Sequence, residues 1–169
     1  MAGLNKHPVH VRVGIALGSN MGDRDVYLDE GLSFLRSLSI DHQVLESPRI
    51  RTAPVDCPPG SGWFLNAVAE IEVDRDKLPP RELLTQLRDF EFACGRPTLR
   101  ETNAPRSLDL DIIYYGEEMV GDSDLIIPHP RAASRRFVLE PLSYLHPNLI
   151  LPGQGKSIGQ LLEECPPRD

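Results

Sequence analysis

The stretch N-A-P-R-S-L-D-L-D-I-I-Y-Y, Asn103–Tyr115, decides how the rest of this chain is read. Leu108–Tyr115 is rich in apolar, branched and aromatic residues and follows a turn-type proline, so it is predicted to be a strand. Side chains alternate across a strand, which sends Leu108, Leu110 and Ile112 to one face and Asp109 and Asp111 to the other. Two carboxylates about 6.6 Å apart on one face repel each other without a partner. A hard divalent cation removes that repulsion, and carboxylate oxygen is what Mg2+ takes. Arg106, just upstream, is placed to meet an anion at the same spot. The plainer alternative is an edge strand with its polar face in water, and D-x-D alone leaves it open.

Working outward, Val9, Val11, Val13, Ile15 and Leu17 alternate with polar or small residues, which predicts another strand. It runs into G-S-N-M-G-D, Gly18–Asp23, where the glycines permit a tight turn and Asp23 can cap the next helix. That helix is expected to reach Leu38, with Leu28, Leu32, Leu35 and Leu38 on one stripe. A strand over Ile40–Arg51 is expected to bend or lie at an edge because of Pro48. Thr52–Gly62 is a Pro/Gly-rich loop. Trp63–Val73 is predicted as a strand with Leu65, Ala67, Ala69, Ile71 and Val73 on the apolar face and Phe64, Asn66 and Val68 on the other. Pro79 and Pro80 open a helix whose stripe is Leu83, Leu87, Phe90 and Cys94, and Gly95 closes it. Glu91, near the C-terminal end where the dipole disfavours an anion, needs a partner. Residues 96–107 read as irregular, 132–145 as a short helix or turns, and Ser157–Cys165 as a helix with a capping box from Ser157 and Gln160.

The order β-α-β-β-α-β predicts an α+β fold, a ferredoxin-like antiparallel sheet with its helices on one face and additions at the C-terminus. The whole chain, 1–169, is read as one domain with residues 1–8 as a tail. The helices would cover the face of Leu65, Ala67, Leu108 and Leu110. Phe64, Asn66, Asp109 and Asp111 would then share the uncovered face.

Composition narrows the function. With 169 residues and 40% hydrophobic content the chain can bury a core. A net charge of −7 argues against a nonspecific nucleic-acid binder. Three widely spaced cysteines without C-x-x-C suggest neither disulfides nor zinc. No run is long enough for a membrane span, and the start lacks the apolar core of a signal peptide. A soluble, cytoplasmic protein with reduced thiols is expected from composition; a monomer acting on small molecules is the further expectation, not read from composition.

Several motifs invite chemistry. G-Q-G-K-S, Gly153–Ser157, lacks the first glycine of a phosphate loop, where Ile150 stands. His129, held between two prolines and followed by Arg131, Arg135 and Arg136, suits a polyphosphate, although a solvated basic patch reads equally well. Phe64 and Phe137 are as compatible with a core as with a site. Asn66 is sharper, because an amide inside an apolar strand is costly unless its donors and acceptors are met, and a heterocycle's edge meets them.

Taken in register, G-S-N-x-G-D (18–23), F-L-N-A-V (64–68), E-x-x-x-G-R (91–96), P-R-S-L-D-L-D (105–111), I-P-H-P-R (127–131) and R-x-F-V-L-x-P-L (135–142) resemble the 6-hydroxymethyl-7,8-dihydropterin pyrophosphokinases. The resemblance runs from about Val11 to Pro152. It implies transfer of a pyrophosphoryl group from ATP to the hydroxymethyl of a reduced pterin, with release of AMP, in folate biosynthesis. It further implies that Asp109 and Asp111 hold two Mg2+ ions and act in catalysis with Arg96 and Arg106. Gly18, Thr52, Ala53, Val55, Phe64, Asn66 and Phe137 would form the pterin site. Glu91, Arg96, Arg106, Ile112, His129 and Arg135 would line the ATP site. The chain departs from the family where a second arginine and a tryptophan often occur, at Thr98 and Asn103; its only tryptophan is Trp63. A metal-dependent nucleotide phosphohydrolase and a non-catalytic ligand-binding module of the same fold are the alternatives.

Overall fold

The computed structural model describes residues 8–54, 59–95 and 107–167. Strand β1 (His10–Ser19) leads through a four-residue turn into helix α1 (Arg24–Leu38), and the Asp23 side chain caps it by accepting the Val26 N–H at 3.2 Å. Two short strands follow, β2 (Leu45–Glu46) and β3 (Ile50–Thr52), then the long strand β4 (Phe64–Asp74) and helix α2 (Pro80–Ala93). Strand β5 (Asp109–Tyr115) is succeeded by a small hairpin, β6 (Val120–Gly121) with β7 (Ile126–Ile127). A 3-10 turn at Ala132–Ser134, helix α3 (Arg136–Leu145) and helix α4 (Ile158–Glu164) complete the described chain.

Within the main sheet the order is β2-β4-β1-β5, with β3 also on β4, and every pairing is antiparallel. The expected strand over Ile40–Arg51 is thus two pieces broken at Pro48, a residue that has no N–H for a ladder. Ser47 bridges the break: its N–H donates to Val68 O at 2.9 Å and its hydroxyl accepts the Val68 N–H at 2.9 Å.

Period-2 alternation divides the sheet between two cores. On one face Val13, Ile15, Leu17, Leu65, Ala67, Ala69, Leu108, Leu110 and Ile112 pack against Leu28, Leu32 and Leu35 of α1 and Leu83 and Leu87 of α2. The other face is not left bare, which corrects the expectation of helices on one side only. Val68, Ile113 and Tyr114 are covered there by Val138, Leu139 and Leu142 of α3 and Ile158 of α4. The apolar cluster of α3 needed a surface to cover, and the sheet from the Ala16–Val68 row to Ile113 and Tyr114 supplied it.

A register shift at Gly14/Ile15 in the β1–β5 ladder makes this possible. Ile113 and Tyr114 both turn toward α3 and α4, while Ile112 and Tyr115 turn toward α1 and α2. The Tyr114 ring lies flat on Gly14, where a Cβ would stand 2.2 Å from Tyr114 Cε1. Because that ring is buried and its hydroxyl is bonded to Glu70, it cannot swing aside. Gly14→Ala is expected to cost about 3 kcal/mol by overpacking, a fall in Tm of roughly 6–12 °C. In a Tyr114→Leu background the same substitution should cost close to nothing; calorimetric melts of the four proteins check this.

Candidate active site

Directly opposed residues of antiparallel strands project to the same side, so the register itself assembles the site. Gly18 of β1 faces Asn66 of β4 on one side and Asp109 of β5 on the other. One row deeper, Ala16 faces Val68 and Asp111. Asn66 and Asp109 are therefore two strand spacings apart, about 10 Å, with a glycine between them. A Cβ at Gly18 would lie 3.1 Å from Asn66 Oδ1 and 3.9 Å from Phe64 Cδ1. Its absence leaves a flat floor between the amide and the acids.

Asn66 is buried, and its Nδ2 donates to Thr52 Oγ1 at 2.7 Å. That bond uses one amide proton. Thr52 is the register partner of Phe64, which begins β4 half-buried on the same face; Ala53, just beyond, is exposed. Asp109 and Asp111 are half-buried, neither sunk into the core nor splayed into water. Glu91 is the partner-seeking acid anticipated in α2. It is buried beneath the outer edge of β5, where its Oε1 accepts the Leu110 N–H at 2.7 Å, the amide between the two aspartates. Ile112 is buried in the α1/α2 core, so anything it offers a nucleotide comes from its main chain.

His129 reaches this end of the sheet by main chain, its N–H donating to Ile113 O at 2.9 Å. Its Nδ1 accepts the Arg131 N–H at 3.2 Å, so a neutral ring keeps its proton on Nε2 and presents a donor there. Burial holds its pKa below the usual value, the charges of Arg135 and Arg131 add to this, and Asp109 opposes it. Arg135 stands at the N-cap position of α3, its carbonyl accepting the Val138 N–H at 3.0 Å and its guanidinium 5.3 Å from the ring centroid of Phe137, which packs in the first turn against the second core. Arg96, Arg106 and Val55, expected at the site, lie outside the described residues, as do Thr98 and Asn103.

A cleft of about 480 Å³ lies at the other end of the sheet, around Glu70, Tyr114 and His146. Tyr114 donates to Glu70 there, and His146 Nε2 stands 2.8 Å from Glu70 Oε2. This cleft lacks the paired, half-open carboxylates of the Asp109 end.

The sequence model of the family described as 7,8-dihydro-6-hydroxymethylpterin-pyrophosphokinase (HPPK) matches residues 14–147, a span that holds the whole Phe64–Asn66–Gly18–Asp109–Asp111 arrangement. The chain belongs to that family. A curated 2-amino-4-hydroxy-6-hydroxymethyldihydropteridine pyrophosphokinase of Pseudomonas aeruginosa is 35% identical over 156 residues, 92% of this chain and 92% of its own length. The enzyme of that name from Haemophilus influenzae is 38% identical over 138 residues, 82% of this chain and 83% of its own. The folic acid synthesis protein fol1 of Pneumocystis carinii is 32% identical, and the chain spans 20% of its length. Among solved structures, Plasmodium falciparum HPPK-DHPS with pterin and p-hydroxybenzoate superposes with a TM-score of 0.70 over 95% of this chain and 42% of that one. At 12% identity that likeness speaks for the fold, α+β with an antiparallel sheet.

A pyrophosphokinase uses ATP, and the donor set can be tested against the metal such nucleotides carry. Among the described residues no group of three or more His, Cys, Asp or Glu side chains could cage a metal. Two carboxylates on one strand face fit Mg2+, which keeps several waters and is completed by substrate phosphates. They do not fit a structural zinc, which wants four protein ligands.

One contributor escaped the sequence reading. Arg24 ties the 20–22 turn to the start of β4 and carries no motif of its own. The signal was electrostatic: a cation in the first turn of a helix is where the dipole disfavours it, so it must be held by something else.

Proposed function

We propose that this chain transfers the β,γ-pyrophosphoryl group of ATP to the hydroxymethyl oxygen of 6-hydroxymethyl-7,8-dihydropterin, releasing AMP. The observation that carries the reading is the cross-strand row Asn66–Gly18–Asp109, which sets a ring-reading amide about 10 Å from a metal-binding acid across an unobstructed floor. In this reading Phe64 stacks on the pterin, Phe137 covers its other side, and Asn66 hydrogen-bonds its edge beside Thr52, Ala53 and Val55. Asp109 and Asp111 would hold two Mg2+ ions, which would supply positive charge to the phosphate oxygens. Arg96, Arg106 and Arg135 bind phosphate oxygens by charge-assisted hydrogen bonds, and neutral His129 donates from Nε2. Glu91 holds the Leu110 amide so that both neighbouring carboxylates keep their aim.

In the transfer, the pterin's hydroxymethyl oxygen bonds the β-phosphorus as the α–β bridge breaks. AMP leaves with that electron pair, and the hydroxyl proton passes to solvent. Positioning and charge neutralisation supply most of the rate in such reactions. The fold belongs to the same proposal in its finer form. We read the β-α-β-β-α-β order and the strand sequence β2-β4-β1-β5 as a ferredoxin-like sheet, and residues 1–169 as one domain acting as a cytoplasmic monomer. Free thiols at Cys94 and Cys165 suit a reducing compartment.

The test is direct. Incubated with Mg-ATP, the protein should release AMP only when the reduced pterin is added, in equal amount to the pterin diphosphate formed. Phosphate release without pterin would move the site to a phosphohydrolase. No nucleotide turnover in either mixture would overturn the catalytic reading.

A further inference from the structure

We infer that Arg24 is a positioning residue for the pterin pocket, setting the aim of Phe64 from the opposite side of the sheet through Trp63. The inference rests on the pterin reading above and adds a residue that the reading does not contain. Arg24 is the first residue of α1, flanked by Asp23 and Asp25, yet its guanidinium bonds are to main-chain carbonyls. Nε donates to Trp63 O at 2.9 Å, Nη2 to Asn20 O at 3.0 Å and Nη1 to Gly22 O at 3.2 Å. The carbonyl of Trp63 belongs to the peptide plane that carries the Phe64 N–H. Fixing that carbonyl fixes the plane from which Phe64 sets out.

The indole of Trp63 adds to the grip. Alternation turns it to the α1 side, where it packs on the first core while Phe64 faces the site. Two guanidiniums lie on it, Arg24 at 4.1 Å and Arg51 at 3.9 Å from the ring centroid. Arg51 is the register partner of Leu65 and the chain neighbour of Thr52, whose hydroxyl holds Asn66. Gly62 leaves room for the arrangement, since a Cβ there would come within 2.5 Å of Arg24 Nη2 and 3.0 Å of Asn20 O. One side chain thus ties together the turn after Gly18, the start of β4 and, through the indole, the end of β3. Those segments carry Gly18, Phe64 and Thr52.

A residue that only held the fold would alter every kinetic constant together. A positioning residue for one pocket should split them. We expect Arg24→Gln and Arg24→Lys each to raise the pterin KM about tenfold, while the ATP KM stays within twofold and kcat within threefold. Lysine retains the charge but cannot reach three carbonyls in one plane, so it should not rescue. Arg51→Gln, which leaves the three hydrogen bonds in place, should raise the pterin KM no more than threefold. Trp63 is the only tryptophan in the chain, so its emission reports the same stack. It should shift in the Arg24 variants, and pterin titrations followed by it should move by the same factor as KM. An unchanged pterin KM in Arg24→Lys would overturn the inference. So would parallel changes in pterin KM, ATP KM and kcat that match those of Ile158→Val, a core variant in α4 remote from the stack. If the wild-type protein shows no pterin-dependent AMP release, the pterin reading falls and this inference with it. If it does, and the Arg24 variants keep the wild-type pterin KM, only this inference falls.

Discussion

Asp111→Ala is expected to abolish pyrophosphoryl transfer and leave the fold standing. Asp111 is half-buried on a strand whose opposite face carries Leu110 and Ile112 into the core, so its removal leaves the packing untouched. Stability should stay close to wild type, because a half-buried polar side chain opposite the core face is replaced without opening a cavity. The loss appears in the chemistry. A divalent ion polarising phosphate oxygens is worth several kcal/mol in the transition state, and each 1.4 kcal/mol is tenfold in rate. If the two carboxylates hold that ion as proposed, losing one should lower kcat/KM on the order of 10³-fold or more. Asp111→Asn, which keeps shape and loses charge, should be nearly as damaged. Coupled measurement of AMP release beside a thermal melt decides the matter. Near-normal turnover in a well-folded Asp111→Ala protein would remove the metal assignment.

That prediction rests on a feature legible from the start, because strand alternation is a property of the backbone. Once Leu108, Leu110 and Ile112 are assigned inward, Asp109 and Asp111 have only one other face to occupy. The same logic placed Phe64 and Asn66 opposite Leu65 and Ala67. Alternation cannot reveal a bulge. The shift at Gly14 puts Ile113 and Tyr114 on one face and lets α3 and α4 cover half of a side expected to be open. No local propensity marks it, and Tyr114 lying over Gly14 is a contact between strands far apart in sequence. α3 was blurred for another reason. Pro141 sits inside it, and a proline removes an internal helical hydrogen bond, which weakens the local signal for a helix. Tertiary burial of Val138, Leu139 and Leu142 offsets that cost. Glu91 lay between these extremes. Its need for a partner could be argued from its place in α2, but that the partner is a backbone amide of β5 depends on how α2 packs against the sheet.

Asn66→Leu is expected to be the most selective lesion. Leucine keeps the branched shape of the amide in a site already buried, and among the described residues the bond lost is that to Thr52, which is half-exposed and can bond water. The cost to the fold should stay near 1 kcal/mol, in keeping with a single neutral hydrogen bond. Pterin binding has no such substitute. A heterocycle pressed against leucine would lose the hydrogen bonds to the amide and leave its own edge groups desolvated without partners. A site built to hydrogen-bond its ligand discriminates strongly for this reason. With about 3–4 kcal/mol at stake, the pterin KM should rise roughly 10²- to 10³-fold, while ATP binds the pterin-free protein as before. Asn66→Asp separates shape from chemistry. It can still accept at both oxygens but donates to neither Thr52 nor the ligand, so it should bind the pterin poorly despite its fit. Calorimetry with each ligand alone distinguishes these outcomes. A pterin affinity within threefold of wild type in Asn66→Leu would mean that this amide does not read the ring, and that the row Asn66–Gly18–Asp109 joins the acids to something other than a pterin.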